Sequence, residues 1–242
     1  MTTSFKSLHA LLIKTEESFE TNLQKVERAL QDSPLNSIVV APEVAMSGFC
    51  YDRFEEAAMF SEIAKERLKE LTSQKCFVTT LIEKEGEKYY NNLYCFFDKQ
   101  IVHKQSKHKL FLLGDEQRYF SKGDDKQIKI IEIDGLRVGF LICFELRFIE
   151  LWERLKGAEV IVVPAMWGEQ RREHFITLCR GLALLLQCVV ISCNSENKEY
   201  QGGSIIATPN GDIHTQNANT ITASLEIKDI KIFRRYLDVG IR

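Results

Sequence analysis

Apolar residues recur at helical spacing between Thr15 and Leu30, where Phe19, Leu23, Val26 and Leu30 share one face, so the pattern predicts an amphipathic helix. Short apolar runs flank it: Leu8–Ile13 and Ser37–Ala41 (SIVVA) read as strands. Phe54–Thr72 reads as a helix and Cys76–Glu83 as a strand. Lys88–Phe97 and Gln100–Lys104 predict a hairpin turning at Asp98-Lys99, and Ile128–Ile133 and Leu136–Ile142 another at Asp134-Gly135. Phe148–Leu155 is expected to be helical and to close at Gly157. Val160–Pro164 reads as a strand, Glu169–Leu186 as a long helix and Val189–Cys193 as a strand. Ser204–Ala207 and Ile213–Gln216 bracket a turn at Pro209-Asn210-Gly211-Asp212, and Thr220–Ile227 is expected to close the sheet. Interleaving of this kind predicts mixed sheets covered by helices, a layered α/β fold.

Composition narrows the picture. No repeat or low-complexity stretch interrupts the 242 residues, which are 45% hydrophobic with only 4 Pro, and a single domain over 1–242 is expected. A net charge of -2 gives no reason to expect nucleic acid or an anionic membrane as partner. The one basic run, HKQSKHK, is followed by Asp115, Glu116, Asp124 and Asp125. Seven cysteines, an odd number with no CxxC or Cys/His spacing, point to a reducing compartment without disulfides or a metal site. The segment MTTSFKSLHALLIKTEESFE has neither a cleavage signal nor the length of a membrane span, so a cytoplasmic location is expected.

Candidate chemistry lies where apolar strands stop, because α/β ligand sites gather at the carboxyl ends of strands. Glu43 follows SIVVAP, Cys143 ends VGFLIC, Met166 and Trp167 follow VIVVPA, and Asn194 ends VVISCN. A helix beginning at Phe144 or Glu145 would place the Cys143 thiol at a helix N-terminus, where backbone N–H groups favour thiolate. Taken singly, each residue has a plain alternative. Cys143 could be an inert core thiol, Glu43 a loop carboxylate, Lys107 part of a solvated face, His174 an ordinary helix residue and Trp167 simple packing.

The ordered set is more specific. Glu43 in VVAPEVAMSGF, Lys107 in KHKLF, Glu116 in GDEQRYFSKGD and Cys143 in GFLICFELRFIELW resemble the nitrilase, or carbon–nitrogen hydrolase, superfamily. The similarity continues through VIVVPAMW, HFITLCRGLALLLQCVVISCN and GGSIIATPNGD, nearly the whole chain. It implies a four-layer α-β-β-α sandwich of mixed sheets and a Glu-Lys-Cys triad of Glu43, Lys107 and Cys143, with Glu116 as a second glutamate. Lys107 is the match because the family lysine precedes x-x-Leu-Phe. Lys109 remains a rival, since alternation in an extended segment would place both lysines on one face. The chain departs from the family where Cys-Tyr-Asp-Leu-Arg-Phe-Pro becomes Cys143-Phe144-Glu145-Leu146-Arg147-Phe148-Ile149 and Pro-Ala-Asn-Trp becomes Pro164-Ala165-Met166-Trp167. Leu185-Leu186 stands where a Glu-Asn pair usually precedes Gln187.

The resemblance implies hydrolysis of a small amide through a Cys thioester, close to the omega-amidase branch, with no cofactor. Phe144 (through its backbone N–H), Arg147, Met166 and Trp167 are expected to bind substrate. Arg147 has a structural ion pair as its alternative role. Rival readings are a nitrile or carbamoyl hydrolase of the same superfamily, or a degenerate member that binds a small molecule without turnover. The expected partners are the amide and a second copy of the chain, as homodimer or higher homo-oligomer. For that contact Phe175, Leu178, Leu182 and Leu185-Leu186 form a candidate stripe, unless they face the sheet.

Overall fold

The structure is a computed structural model that describes residues 3–215 and 219–241. In one sheet the strand order is β12-β1-β2-β3-β4-β5, built from β1 (Ser7–Leu11), β2 (Ser37–Val40), β3 (Lys75–Glu85), β4 (Lys88–Phe97), β5 (Gln100–Ser106) and β12 (Thr220–Ser224). The other has the order β11-β10-β9-β8-β7-β6, from β6 (Ile131–Ile133), β7 (Leu136–Phe140), β8 (Val160–Pro164), β9 (Val189–Cys193), β10 (Ile205–Ala207) and β11 (Ile213–His214). Both are mixed. The pairs β1–β2, β2–β3, β7–β8 and β8–β9 are parallel, and antiparallel strands flank them.

Period-two alternation decides which side chain goes where. On the first sheet Leu8, Ala10, Ile38, Val40, Cys76 and Val78 face inward and join Val138, Phe140 and Val162 of the second sheet in one buried core. The alternate residues Val39, Phe77 and Leu81 face outward, where α1 (Phe19–Asp32) and α2 (Phe54–Glu70) cover them with Leu23, Val26, Leu30, Ala64 and Leu68. Ser18 caps α1 by accepting from the Thr21 N–H. The short helix α3 (Glu116–Tyr119) follows β5 of the first sheet, and helices α4 (Ile149–Arg154) and α5 (Arg172–Leu186) cover the second sheet. The layers are therefore α-β-β-α, as the resemblance implied.

Several local expectations are corrected. The segment after Thr220 is a strand only to Ser224 and continues as helix α6 (Ile227–Tyr236), anchored by Ile230 and the buried Arg234. Arg234 donates to the carbonyls of Gln187 and Ala158, so a cationic side chain does the anchoring that an apolar periodicity search overlooks. The predicted helix at Glu169 begins with a 3-10 turn, Glu169–Arg171. The first strand of the second hairpin is shorter than expected, Ile131–Ile133, because a 3-10 turn at Asp125–Gln127 precedes it. β11 ends at His214, and the predicted strand end at Gln216 lies outside the described residues. Phe175, Leu182 and Leu186 pack into the core, so most of the α5 stripe faces the sheet, while Leu184 and Leu185 are exposed.

Candidate active site

Four chain segments meet at one end of the sandwich. Glu43 leaves β2 and is fully buried. Its Oε1 accepts from Lys107 Nζ at 2.7 Å and from Asn91 Nδ2 at 2.8 Å, and its Oε2 from the Met166 backbone N–H at 3.1 Å. Its own N–H donates to the Ala165 carbonyl at 3.2 Å, so the carboxylate is tied to the second sheet as well as the first. The next residue, Val44, has a φ of 44°, a left-handed value that a β-branched side chain rarely adopts. Its N–H donates to Thr80 Oγ1 at 2.7 Å and its carbonyl accepts from Gly48, which holds the bend.

Lys107 follows β5 and is likewise fully buried. Its ammonium also donates to Glu116 Oε1 at 2.8 Å, while Glu116 Oε2 accepts from the Phe111 N–H at 2.9 Å. Gly123 makes this seat possible. Its N–H donates to the Lys107 carbonyl at 2.9 Å, and a side chain there would lie 2.2 Å from the Ser106 carbonyl oxygen. Burial is the largest influence on the Lys107 pKa and pushes it down, but Glu43 and Glu116 more than offset that and hold it above the ordinary lysine range. Burial raises the Glu116 carboxyl, against the pull of Lys107. Lys109 goes elsewhere. β5 ends at Ser106, so the alternation argument does not extend across the lysines, and Lys109 pairs with Glu150 at 2.9 Å over the Phe148 ring.

Cys143 lies just beyond β7, with φ at 48°. The expected helix start is instead a 3-10 turn, Cys143–Arg147, followed by α4. The Phe144 N–H has no acceptor among the described residues. The thiol is not biased toward thiolate: burial first, then Glu43, push its pKa well above the ordinary thiol range, and Lys107 only partly counters them. A short 3-10 turn has little dipole to offer, and the nearest anion outweighs it.

Two residues in this cluster escaped the sequence reading. Asn91, on β4, steadies Glu43, and the two are 48 positions apart, beyond any local pattern. Glu145 is fully buried, its Oε1 accepting from the His108 N–H at 2.6 Å and its Oε2 from the Ile142 N–H at 2.7 Å. It thus joins the residue after Lys107 to the residue before Cys143. Burial pushes its carboxyl up to about 7 despite the backbone N–H groups of Ile142, His108 and Lys109. Its spacing to Ile142 was the available signal, since a carboxylate three residues into a turn commonly reaches back to the backbone N–H at its start.

A cavity of about 410 Å³ opens over Cys143 and Glu116. Phe49, Tyr51, Phe111, Phe144, Trp167 and Tyr200 supply aromatic walls, Met166 lies beside the thiol's segment, and Arg147 and Arg171 also line the space. Trp167 is held through its backbone N–H by Asn194 Oδ1 at 2.6 Å, and the Arg147 guanidinium lies 4.8 Å from the centre of its ring. Arg147 Nη2 donates to His174 Nδ1 at 3.2 Å and has no carboxylate partner among the described residues, so the structural ion pair is not formed. A larger groove of about 650 Å³ runs between α1 and β1, but none of Glu43, Lys107, Glu116 and Cys143 lines it. Among the described residues no group of three or more His, Cys, Asp or Glu side chains could hold a metal ion.

The described residues thus place a protonated thiol, a buried carboxylate, a buried ammonium and an unused backbone N–H around one cavity, a set suited to acyl transfer. Comparison with known proteins agrees. A family model described as carbon-nitrogen hydrolase matches residues 10–235. A 2-oxoglutaramate amidase of Bacillus subtilis (strain 168) is 30% identical over 206 residues, covering 79% of this chain and 78% of that protein. Omega-amidase YafV of Escherichia coli (strain K12) is 24% identical over 224 residues, covering 88% and 86%. Among solved structures, Saccharomyces cerevisiae Nit3, a member of branch 10 of the nitrilase superfamily, superposes with a TM-score of 0.85 at 24% identity, covering 99% of this chain and 97% of that one.

Proposed function

The chain belongs to the carbon-nitrogen hydrolase family, and from that premise we propose that it is an amidase acting on a small amide that carries a carboxylate, with Glu43, Lys107 and Cys143 as its catalytic triad. The observation that carries this reading is the buried Lys107 ammonium, held between Glu43 and Glu116 beneath the cavity that Cys143 opens into. Glu43 takes the thiol proton as Sγ attacks the amide carbon, and the oxyanion is received by Lys107 and the Phe144 N–H. The C–N bond then breaks, Glu43 returns the proton to the departing nitrogen, and ammonia leaves a thioester. Glu43 next deprotonates a water, which attacks the thioester and releases the carboxylic acid and the thiol. A resting thiol held protonated fits this sequence, because proton removal is coupled to attack. Glu116 keeps Lys107 in place, Met166 and Trp167 wall the substrate, and Arg147 offers its guanidinium to the substrate carboxylate.

The test is ammonia release from a panel of dicarboxylic acid monoamides, neutral amides, nitriles and carbamoyl compounds, with Cys143→Ser as control. Turnover of the monoamides is expected, with a loss on the order of 1,000-fold or more in the variant. Equal activity in the variant would sink the thiol mechanism, and turnover of nitriles or carbamoyl compounds alone would replace the amidase by those rivals. We also propose a homo-oligomer in the cytoplasm. Exposed Leu184 and Leu185 on α5, near the Tyr236 and Leu237 end of α6, support the first. Seven unpaired thiols support the second, and among the described residues no helix is long and apolar enough to cross a membrane.

A further inference from the structure

The cavity is lined by a second guanidinium, outside the sequence motifs described above. Arg171 ends the 3-10 turn before α5, is half-buried and lines the cavity with Arg147. Its guanidinium carbon lies 5.3 Å from the centre of the Phe111 ring, and that ring is 5.1 Å from Phe144, the residue after the nucleophile. One indole connects the two arginines. Trp167 presents its face to Arg147 at 4.8 Å and donates its Nε1–H to the Arg171 carbonyl at 2.9 Å. Among the described residues Arg171 has no ion pair with any carboxylate.

Gly168 gives this side chain its space. A Cβ on Gly168 would stand 2.8 Å from Arg171 Nη2, yet its φ of -57° and ψ of 135° suit any residue. A methyl group there would therefore push the flexible end of Arg171 aside without straining the backbone. A half-buried arginine stacked on a ring, its fork unmatched by an acid, is preorganised to receive a carboxylate through two N–H donors. Resting on the amidase reading, we infer that Arg171, given room by Gly168, is a specificity determinant that joins Arg147 in holding the anionic end of the substrate while the amide lies at Cys143.

The experiment compares wild type with Arg171→Met, Arg171→Lys and Gly168→Ala. Steady-state kinetics use succinic acid monoamide and its uncharged counterpart butyramide, and calorimetry measures succinate binding. Loss of one charge-assisted contact raises KM for the monoamide and Kd for succinate by about 10-fold or more in Arg171→Met. Gly168→Ala follows it in direction, Arg171→Lys recovers part of the loss, kcat stays within about threefold, and kcat/KM for butyramide is unchanged. Equal losses on both amides, unchanged succinate affinity in Arg171→Met, or a wild type that does not bind succinate would each overturn the inference. A wild type that binds succinate but releases ammonia from neither amide defeats the amidase reading instead, and the succinate affinities then judge Arg171 alone.

Discussion

Replacing Glu145 by Gln separates positioning from catalysis in this site. The carboxylate accepts the Ile142 N–H through one oxygen and the His108 N–H through the other. An amide has one strong acceptor oxygen, as the protonated acid has, so Gln resembles the low-pH form of this side chain and not the carboxylate. The comparison therefore depends on pH. The Glu145 carboxyl stands at about 7, against an ordinary value of 4.5, so the folded protein binds this proton more tightly than the unfolded chain. The resulting stabilisation, about 3 kcal/mol, is full below pH 4.5 and is lost as pH rises to about 7. Gln has no such proton. The stability of wild type relative to Glu145→Gln therefore rises by up to about 3 kcal/mol from pH 8 to pH 5. Urea unfolding of both proteins at pH 5, 6, 7 and 8 measures it. A difference that stays constant, or moves in favour of the variant toward acid, would refute the reasoning.

Other outcomes follow from the same geometry. Lys107→Met leaves Glu43 and Glu116 buried without their cation, so it lowers stability by about 3–5 kcal/mol and turnover by at least about 100-fold, read by unfolding and ammonia release. Lys109→Ala breaks a pair in which Glu150 is half exposed, and is expected to leave kcat within about twofold and the urea midpoint nearly unchanged. Because burial and Glu43 raise the Cys143 thiol, alkylation by iodoacetamide without substrate is slow at pH 7 and still rising at pH 9, as mass spectrometry of the labelled peptide can show; a plateau below pH 8 would contradict the electrostatics. Light scattering is expected to show a dimer or larger species.

Periodicity was enough to place most strands and to put Leu23, Val26 and Leu30 beneath the first sheet, because burial on one face leaves a direct trace in the pattern. It failed at α6, where Arg234 takes a core position through hydrogen bonds to carbonyls rather than through apolar contact. Glu43, Lys107, Glu116 and Cys143 were legible only together and in order, since each alone reads as loop, surface or core. What turned out differently was electrostatic. A thiol at the start of a turn suggested thiolate, but its charge state depends on burial and on a carboxylate 100 positions earlier in the chain, and sequence distance carries no such information. Arg171 and Gly168 were hidden for a related reason, as their relation is one of vacant volume rather than residue type.

Glu43 and Lys107 hang from one sheet, and Cys143 and Met166 from the other. The gap between Glu43 and Cys143, the proposed base and nucleophile, is therefore gauged by the thickness of the apolar filling between the sheets, with Val78, Cys95 and Phe140 acting as shims. A misplacement of about 1 Å between reacting groups can cost on the order of 100-fold in rate. Enlarging or trimming one of those inward side chains would thus tune catalysis from inside the core, without touching any group that meets the substrate.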